Sequence, residues 1–511
     1  MQGIATKVVI NTIILYSKIV ITMLISLITV PMVLNALGDS DYGLYNLIAG
    51  IIGMLSFLNA SMTIATQRYL SVAVGQNNLI KLNEIFNNSI ILHIIIGIIL
   101  VLIFEGAALF IFDGFLNISP DKILTAKFVY QFLVISTFFT ILTVPYNAIM
   151  NAKEDMLAFS LIGIFDSFAR LIIAFIITKL NCDRLLLYAF LIAILTIIVT
   201  LISRFYIKIR YKEFTFRPKL YVHSTTLKEM FNFAGWNTLG AVAMIGRNQG
   251  VAILLNLFIG TVANAAYGVA NQLNGVLSYF SSTFQKALNP QLMQSHGMNN
   301  HERLVRISCW ASKYSVMILA LFTVPLILEM PFILRVWLKD IPEYTIKFCQ
   351  MILILSLVYQ YSTGLMNAIQ AVGNVRNYFI VMSLLIITNL PISYYILNNG
   401  YPAYYCIFVM IVIEAISFCT RLMMAKKLVG FPISLYIKNV LIPTLFTVFV
   451  SFLFGYVAHI SFSETWIRLI VVCLVYAIVY ILCSWICLIE EQHKSQIQTM
   501  IHKFRWNNYG C

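Results

Sequence analysis

Apolar residues run along this chain in long blocks, with polar positions gathered at the joints and in narrow stripes within a few blocks. A helix needs about 20 consecutive apolar residues to cross a bilayer, and about fourteen blocks meet that requirement. Their approximate cores are 8–36, 42–72, 87–112, 127–150, 156–178, 185–207, 227–258, 263–292, 311–337, 345–371, 377–397, 401–425, 437–459 and 465–489. A bilayer admits only helices and closed barrels, because every backbone polar group must be satisfied internally. These blocks are too long and too uniformly apolar for barrel strands. The pattern predicts an all-α, polytopic membrane protein with about 14 transmembrane helices.

Composition agrees. The chain is 60% hydrophobic and 11% charged, against roughly 25% charged residues in soluble domains. The first apolar run is too long for a signal-peptide core and no A-x-A site follows, so it is expected to be the first span. The nine cysteines form no CxxC pair and lie mostly within spans, as small apolar filler. Cys483 and Cys487 share a helix face, but two thiols make a poor metal site. Assigned alternately to the two sides of the membrane, Lys and Arg favour the side of the N-terminus roughly three to one. That bias puts both termini in the cytoplasm and favours an even number of spans. The net charge of +14 therefore follows from topology and needs no nucleic-acid partner.

The chain also repeats itself. Asn77-Asn78 recurs as Asn299-Asn300, Pro120-Asp121 as Pro342-Glu343, and Asn147-Ala148-Ile149 as Asn367-Ala368-Ile369. Glu105 recurs as Glu329 and Arg204 as Arg421, every pair in the same order and about 220 positions apart. Between the copies lies the basic stretch RFYIKIRYKEFTFRPK, 204–219, which reads as a hinge. The expected organisation is a six-helix lobe at 1–210, a basic cytoplasmic linker at 211–226 and a second six-helix lobe at 227–430. Two additional transmembrane helices follow at 431–490, expected to be peripheral, and a cytoplasmic tail at 491–511. Six is even, so the two lobes enter the membrane in the same sense. They form a parallel repeat of the kind found in transporters, with substrate near the repeat interface.

Polar side chains facing lipid are costly, so polar stripes mark interior faces. The eighth span carries Asn264, Asn271, Asn274, Ser278, Ser281 and Gln285 at helical spacing. The second carries Asn46, Gly53, Ser56, Thr63 and Gln67. The two stripes correspond across the repeat, and each ends in a cation, Lys286 and Arg68. The first span adds Asn11, Lys18, Thr22 and Thr29. Interhelical hydrogen bonding is one reading of such stripes. Their length and matched placement favour a hydrated cavity.

Three cations lie within spans: Lys18, Arg170 and Arg247. Arg170 follows Asp166 by four residues on the same helix face, which predicts a structural ion pair. Arg247 has small neighbours on its face, Gly240, Ala243 and Gly250, which leave room beside it. The seventh and eighth spans hold no carboxylate after Glu229. Two readings of Arg247 stand: it pairs with a distant acid such as Asp166 or Glu414, or it lines an aqueous cavity that takes an anionic substrate. Lys18 admits the same two. A cationic cavity lined with amides and hydroxyls suits an anionic head followed by sugars. His93 is expected in core packing, and Glu105 and Glu329 at the membrane interface.

The stretch LNALGDSDYGLY, 34–45, with the small, polar second span and Gln67-Arg68-Tyr69, resembles the opening of bacterial polysaccharide-biosynthesis flippases. These are O-antigen- and capsule-type lipid-linked oligosaccharide flippases. They share a superfamily with multidrug and toxic compound extrusion antiporters and with the lipid II flippase. The resemblance implies a two-lobed fold in the inner membrane with a cationic central cavity, and undecaprenyl-pyrophosphate-linked glycan as substrate. It implies the lipid bilayer, a polysaccharide polymerase and glycosyltransferases as partners.

On this view Lys18 and Arg247 hold phosphate, Asn271, Asn274 and Gln285 bind sugar, and Gln67 is a further substrate-binding residue. Arg68 and Lys286 attract the head group or simply anchor the span ends. No nucleotide-binding loop of the GxxxxGK[ST] type occurs, and no cofactor or metal site is expected. A multidrug antiporter would need lumenal carboxylates, which the first, second, seventh and eighth spans lack in their cores. The lipid II flippase is a further alternative. A membrane glycan polymerase or glycosyltransferase would carry a large non-cytoplasmic loop with clustered catalytic groups, and every such loop here is short.

Overall fold

The computed structural model describes residues 2–53, 56–112, 122–180, 183–338, 341–491 and 494. Among these, every regular element is helical. The helices are α1 (Gln2–Gly53), α2 (Ser56–Gly75), α3 (Leu79–Phe110), α4 (Ile123–Ala152), α5 (Met156–Lys179), α6 (Arg184–Arg210), α7 (Pro218–Tyr221), α8 (Ser224–Phe258) and α9 (Thr261–Gly297). They continue as α10 (His301–Leu328), α11 (Met330–Trp337), α12 (Thr345–Val372), α13 (Arg376–Ile387), α14 (Asn389–Asn398), α15 (Tyr405–Val429), α16 (Ile433–Tyr436), α17 (Ile442–Ser461) and α18 (Trp466–Cys487). Pro120, Asp121 and nearly all of the 491–511 tail lie outside the described residues.

Among the described residues, twelve helices are long and apolar enough to cross a membrane, or 13 if the bent pair Ser40–Gly53 and Leu58–Gly75 is one span. The sequence pattern suggested about fourteen. The difference lies largely in α9, whose polar stripe lowers its hydropathy below that of its neighbours. The first expected span and the opening of the second run on as α1, interrupted at Gly38, which stands at φ +76° and breaks the ladder; the rest of the second span is α2, bent away from α1. Glycine occupies that region at little cost because it has no Cβ. The break falls inside LNALGDSDYGLY, so this signature marks a helix-to-helix turn.

The repeat is visible in the backbone. α2 ends at Gly75 and α9 at Gly297. Asn77 and Asn299 then adopt φ of +52° and +53°, a conformation asparagine tolerates better than most residues. Asn78 and Asn300 cap the next helices, each accepting 2.9 Å from the backbone N–H three residues on. Packing repeats as well: α4 lies against α3 and α6, and α12 against α10 and α15.

The chain forms two compact units. The first is Asn11–Thr238 with Gly297–Asn299; the second is Leu239–His296, the chain from Asn300 onward, and the first ten residues. The division falls within α8. In the first unit, Leu100, Phe104, Val129, Tyr130, Leu133 and Leu185 centre the core. In the second, Val251, Leu255, Phe348, Ile352, Leu353 and Met410 do so.

The basic segment after α6 is held firmly. The Asn83 amide donates 2.8 Å to the Glu213 carbonyl, and its oxygen accepts 2.9 Å from Thr215 N–H. Asn87 likewise bonds the Thr215 carbonyl and Arg217 N–H, each at 2.8 Å, and Asn88 donates to the Tyr221 carbonyl at 3.0 Å. Asparagines four apart on a helix stand about 6 Å apart. Alternate residues of an extended chain stand about 6.6 Å apart. The near match lets α3 bind residues 213, 215 and 217 as a strand would. This segment therefore belongs to the first unit and is no free hinge. Tyr206 and Tyr211 donate to the Asp155 carboxylate at 2.6 and 2.9 Å, and burial with that carboxylate pushes the Tyr211 phenol's pKa up.

α17 and α18 are clasped to the rest of the second unit. Glu329 has no exposed surface. Its carboxylate accepts from Arg468 Nε (3.1 Å) and Nη2 (2.9 Å) and pairs with His459 Nδ1 (2.7 Å). Glu329 was expected at the interface. The two additional helices bury it and supply its counter-charges. Tyr476 and Tyr480 add to the clasp, donating to the Ala320 and Met317 carbonyls of α10 at 3.0 and 3.1 Å.

Candidate functional site

In the second unit, α8 carries Arg247 in its middle. The glycines on its face do not leave empty room, as the sequence suggested. A Cβ on Gly240 would sit 2.5 Å from the Phe379 ring, and one on Gly250 would sit 2.5 Å from a Leu390 methyl. They let α13 and α14 approach closely. Arg247 is consequently 3% exposed. Its Nε donates to Asn248 Oδ1 at 3.2 Å, and its Nη1 is buried with no hydrogen-bond partner among the described residues.

The acid nearest in effect is Glu414 on α15, whose charge attracts Arg247 while that of Arg421 repels it. Glu414 is 2% exposed and is already taken: it accepts from Arg421 Nη1, whose Nε donates to the Tyr378 hydroxyl at 3.3 Å. Among the described residues, two buried guanidiniums thus lie in the field of one carboxylate, which only Arg421 contacts, leaving one positive charge in excess there. A buried cation with an unmet donor is costly unless an anion reaches it.

The α9 stripe divides. Asn271 is exposed, donating to the Tyr267 carbonyl on its own helix at 2.9 Å. Asn274 is half-buried and accepts from Ser278 at 3.1 Å. Further along, Ser278 meets Ser356 of α12 at 3.1 Å. Gln285 donates to Ser315 and Gln360 at 3.3 and 3.4 Å and accepts from Asn367 at 3.0 Å, while Asn367 also reaches Asn289 at 2.8 Å. This end of the stripe joins α9 to α10 and α12. Lys286 is exposed.

In the first unit, the Lys18 ammonium lies 4.1 Å from the Phe159 ring centre. A Cβ on Gly163 would come within 2.5 Å of Lys18 Nζ, so the side chain fills the notch that this glycine leaves. Arg68 is buried between the Tyr69 and Phe233 rings, 4.7 and 4.9 Å from their centres. Gln67 is half-buried. Asp166 and Arg170 form the expected ion pair, Nε to Oδ2 at 3.0 Å.

Arg170 also does something the sequence did not suggest. It lines a cavity of about 310 Å³ together with Tyr45, Asn59, Ser136, Thr137, Thr140 and Thr196. The signal was present in Ser136, Thr137 and Thr140 on α4 and Thr196 on α6. Isolated hydroxyls in apolar helices are so common that the pattern stands out only when both helices are seen to face the same space. His93 is fully buried, with Nδ1 2.6 Å from the Ser89 carbonyl, a core role as expected.

Known proteins extend these observations. Residues 8–296 match the sequence profile of the family described as polysaccharide biosynthesis protein. A Bacillus subtilis (strain 168) protein, described as uncharacterized membrane protein EpsK, is 21% identical over 303 residues, 59% of each chain. The match thus spans less than two thirds of that relative's length. Among solved structures, MATE in the bent conformation superposes with a TM-score of 0.73 at 13% identity, over 83% of this chain and 95% of that one. An outward-facing multidrug resistance MATE family transporter of the MOP superfamily gives 0.70 at 14%, over 83% and 95%. A Pyrococcus furiosus transporter of the MOP superfamily, described as having a binding pocket of reversed polarity, gives 0.70 at 13%, over 83% and 95%. At such identities the likeness establishes the fold alone. The fold is that of these transporters, and since the family profile covers more than half of its length, this multi-pass membrane protein belongs to the polysaccharide biosynthesis protein family.

Proposed function

We propose that the protein is a flippase, carrying oligosaccharide linked to undecaprenyl pyrophosphate across the bacterial plasma membrane for surface polysaccharide synthesis. Both termini face the cytoplasm, and the carrier exposes its substrate to each side in turn. The observation that carries this reading is Arg247, buried with an unmet donor while Glu414 is held by Arg421. A permanent counter-ion would have been the cheaper arrangement; an excess buried cation suits a transient anionic guest. In this reading Arg247 takes the pyrophosphate. Lys18, Arg68 and Lys286 add positive potential along its route, and Asn271, Asn274 and Gln67 offer hydrogen bonds to sugar, while Gln285 is spent on α10 and α12.

A MATE-type cation antiporter is the rival on the same fold. Export of an organic cation needs an available carboxylate. Asp166 and Glu414 each have an arginine in contact, which favours an anionic substrate. One fold can host either chemistry, and the Pyrococcus furiosus transporter is described as having a binding pocket whose reversed polarity suggests a different function. The test is translocation of labelled undecaprenyl-pyrophosphate oligosaccharide into vesicles containing the purified protein. Arg247→Ala should reduce the rate at least tenfold, with Arg247→Lys intermediate. An unchanged rate for Arg247→Ala at equal protein incorporation would reject the proposal.

A further inference from the structure

We infer that the cavity inside the first unit is a saccharide site, which receives a sugar of the glycan in the neutral, hydroxyl-rich form. Its lining comes from the second half of α1 and from α2 to α6, so six helices surround it. At about 310 Å³ it sits at the small end of the range of roughly 300–1,000 Å³ typical of small-molecule sites. That is room for one or two sugar rings and too little for a whole oligosaccharide.

The chemistry of the wall selects among ligand classes. Thr137, Thr140 and Thr196 each donate their hydroxyl hydrogen to the carbonyl of the residue four before, at 2.9, 2.8 and 2.9 Å. Their oxygens are left as acceptors. Asn59 Oδ1, another acceptor, and the Ser136 hydroxyl are buried without partners among the described residues. Against these stands Arg170, whose Nε is taken by Asp166 while its terminal nitrogens bond no described residue. Its side chain is 41% exposed.

A bare cation would meet the guanidinium. An anion would meet the acceptor oxygens of the threonines among apolar side chains such as Leu100, Leu133 and Ile192. A polyol satisfies both, because each hydroxyl donates and accepts. Tyr45, held edge-on to Tyr188 with ring centres 5.0 Å apart, adds an aromatic surface. An arginine–carboxylate pair flanked by an aromatic ring and hydroxyls is a suitable cradle for vicinal hydroxyls.

The inference rests on reading the chain as a glycan-lipid carrier, and the experiment separates the two. Saturation-transfer NMR would be run on the purified, detergent-solubilised protein with free hexoses, N-acetylhexosamines and their disaccharides as probes. Inorganic pyrophosphate binding would be measured in parallel by calorimetry. At least one sugar should receive saturation. Thr140→Phe, which fills the cavity, should abolish it. Thr140→Val/Thr196→Val, which keeps the volume and removes two acceptors, should weaken it about tenfold.

Arg247→Ala should lose pyrophosphate and keep the sugar signal; sugar binding without pyrophosphate binding in the wild type would sink the flippase reading alone. No saturation of any sugar in the wild type overturns the inference, as does a signal equal in Thr140→Phe and wild type. Should Thr140→Phe not fold, an unchanged signal in the valine pair overturns it as well.

Discussion

Replacing Arg421 with methionine should disable anion binding at a residue that need never touch the substrate. Arg421 and Glu414 are 3% and 2% exposed. Removing one partner of a buried ion pair leaves an uncompensated charge and costs about 3–5 kcal/mol. Arg247 already lies in the field of Glu414. Two unit charges about 4 Å apart gain about 4 kcal/mol at an effective dielectric of 20. The cost and the gain are alike in size, so Glu414 should capture Arg247 in place of its lost partner.

The captured guanidinium then becomes unavailable. At about 1.4 kcal/mol per factor of ten, full capture weakens pyrophosphate binding about a thousandfold, and one third of that still gives tenfold. Calorimetric titration of pyrophosphate, with the folded fraction checked by size exclusion, measures the effect. The decisive control is Glu414→Gln/Arg421→Met, which removes the competing carboxylate and should restore affinity to within about threefold. Wild-type affinity in Arg421→Met would refute the reasoning. So would a double variant as weak as the single one, because Arg421 would then act in some other way.

Two further outcomes follow from the packing. Glu329→Ala should destabilise the protein by about 3–5 kcal/mol, read as a large fall in thermal midpoint, because it strands Arg468 where α18 meets the rest of the second unit. Glu329→Leu/Arg468→Leu should recover most of that loss. Asn83→Ala/Asn87→Ala removes four hydrogen bonds that hold the segment after α6. Hydrogen exchange at residues 213–217 should then rise at least tenfold, while the core of α4 keeps its protection.

Much of this protein could be read directly from its residues. The helical class, the membrane and the repeat follow from local rules: length of apolar runs, the insolubility of unpaired backbone in lipid, and recurring turn chemistry at Asn77-Asn78 and Asn299-Asn300. The Asp166–Arg170 pair was legible because four residues on one helix fix a distance. The role of the α9 stripe was legible only in outline. Spacing gives a face, but not whether that face meets water or, as at Gln285, the amides of a neighbouring helix.

What only the tertiary structure decided concerns pairs far apart in the chain. Gly240 and Gly250 read as room for a ligand and prove to be notches for Phe379 and Leu390. Glu329 read as interfacial and is buried by helices that begin more than a hundred residues later. Whether Arg247 keeps a free donor depends on which of two arginines Glu414 chooses, and Arg421 lies on the same helix as that acid while Arg247 arrives from another. Periodicity reports each helix's own geometry. Partnership between helices is set by close packing and by competition for a few buried counter-charges, and these are properties of the assembled bundle.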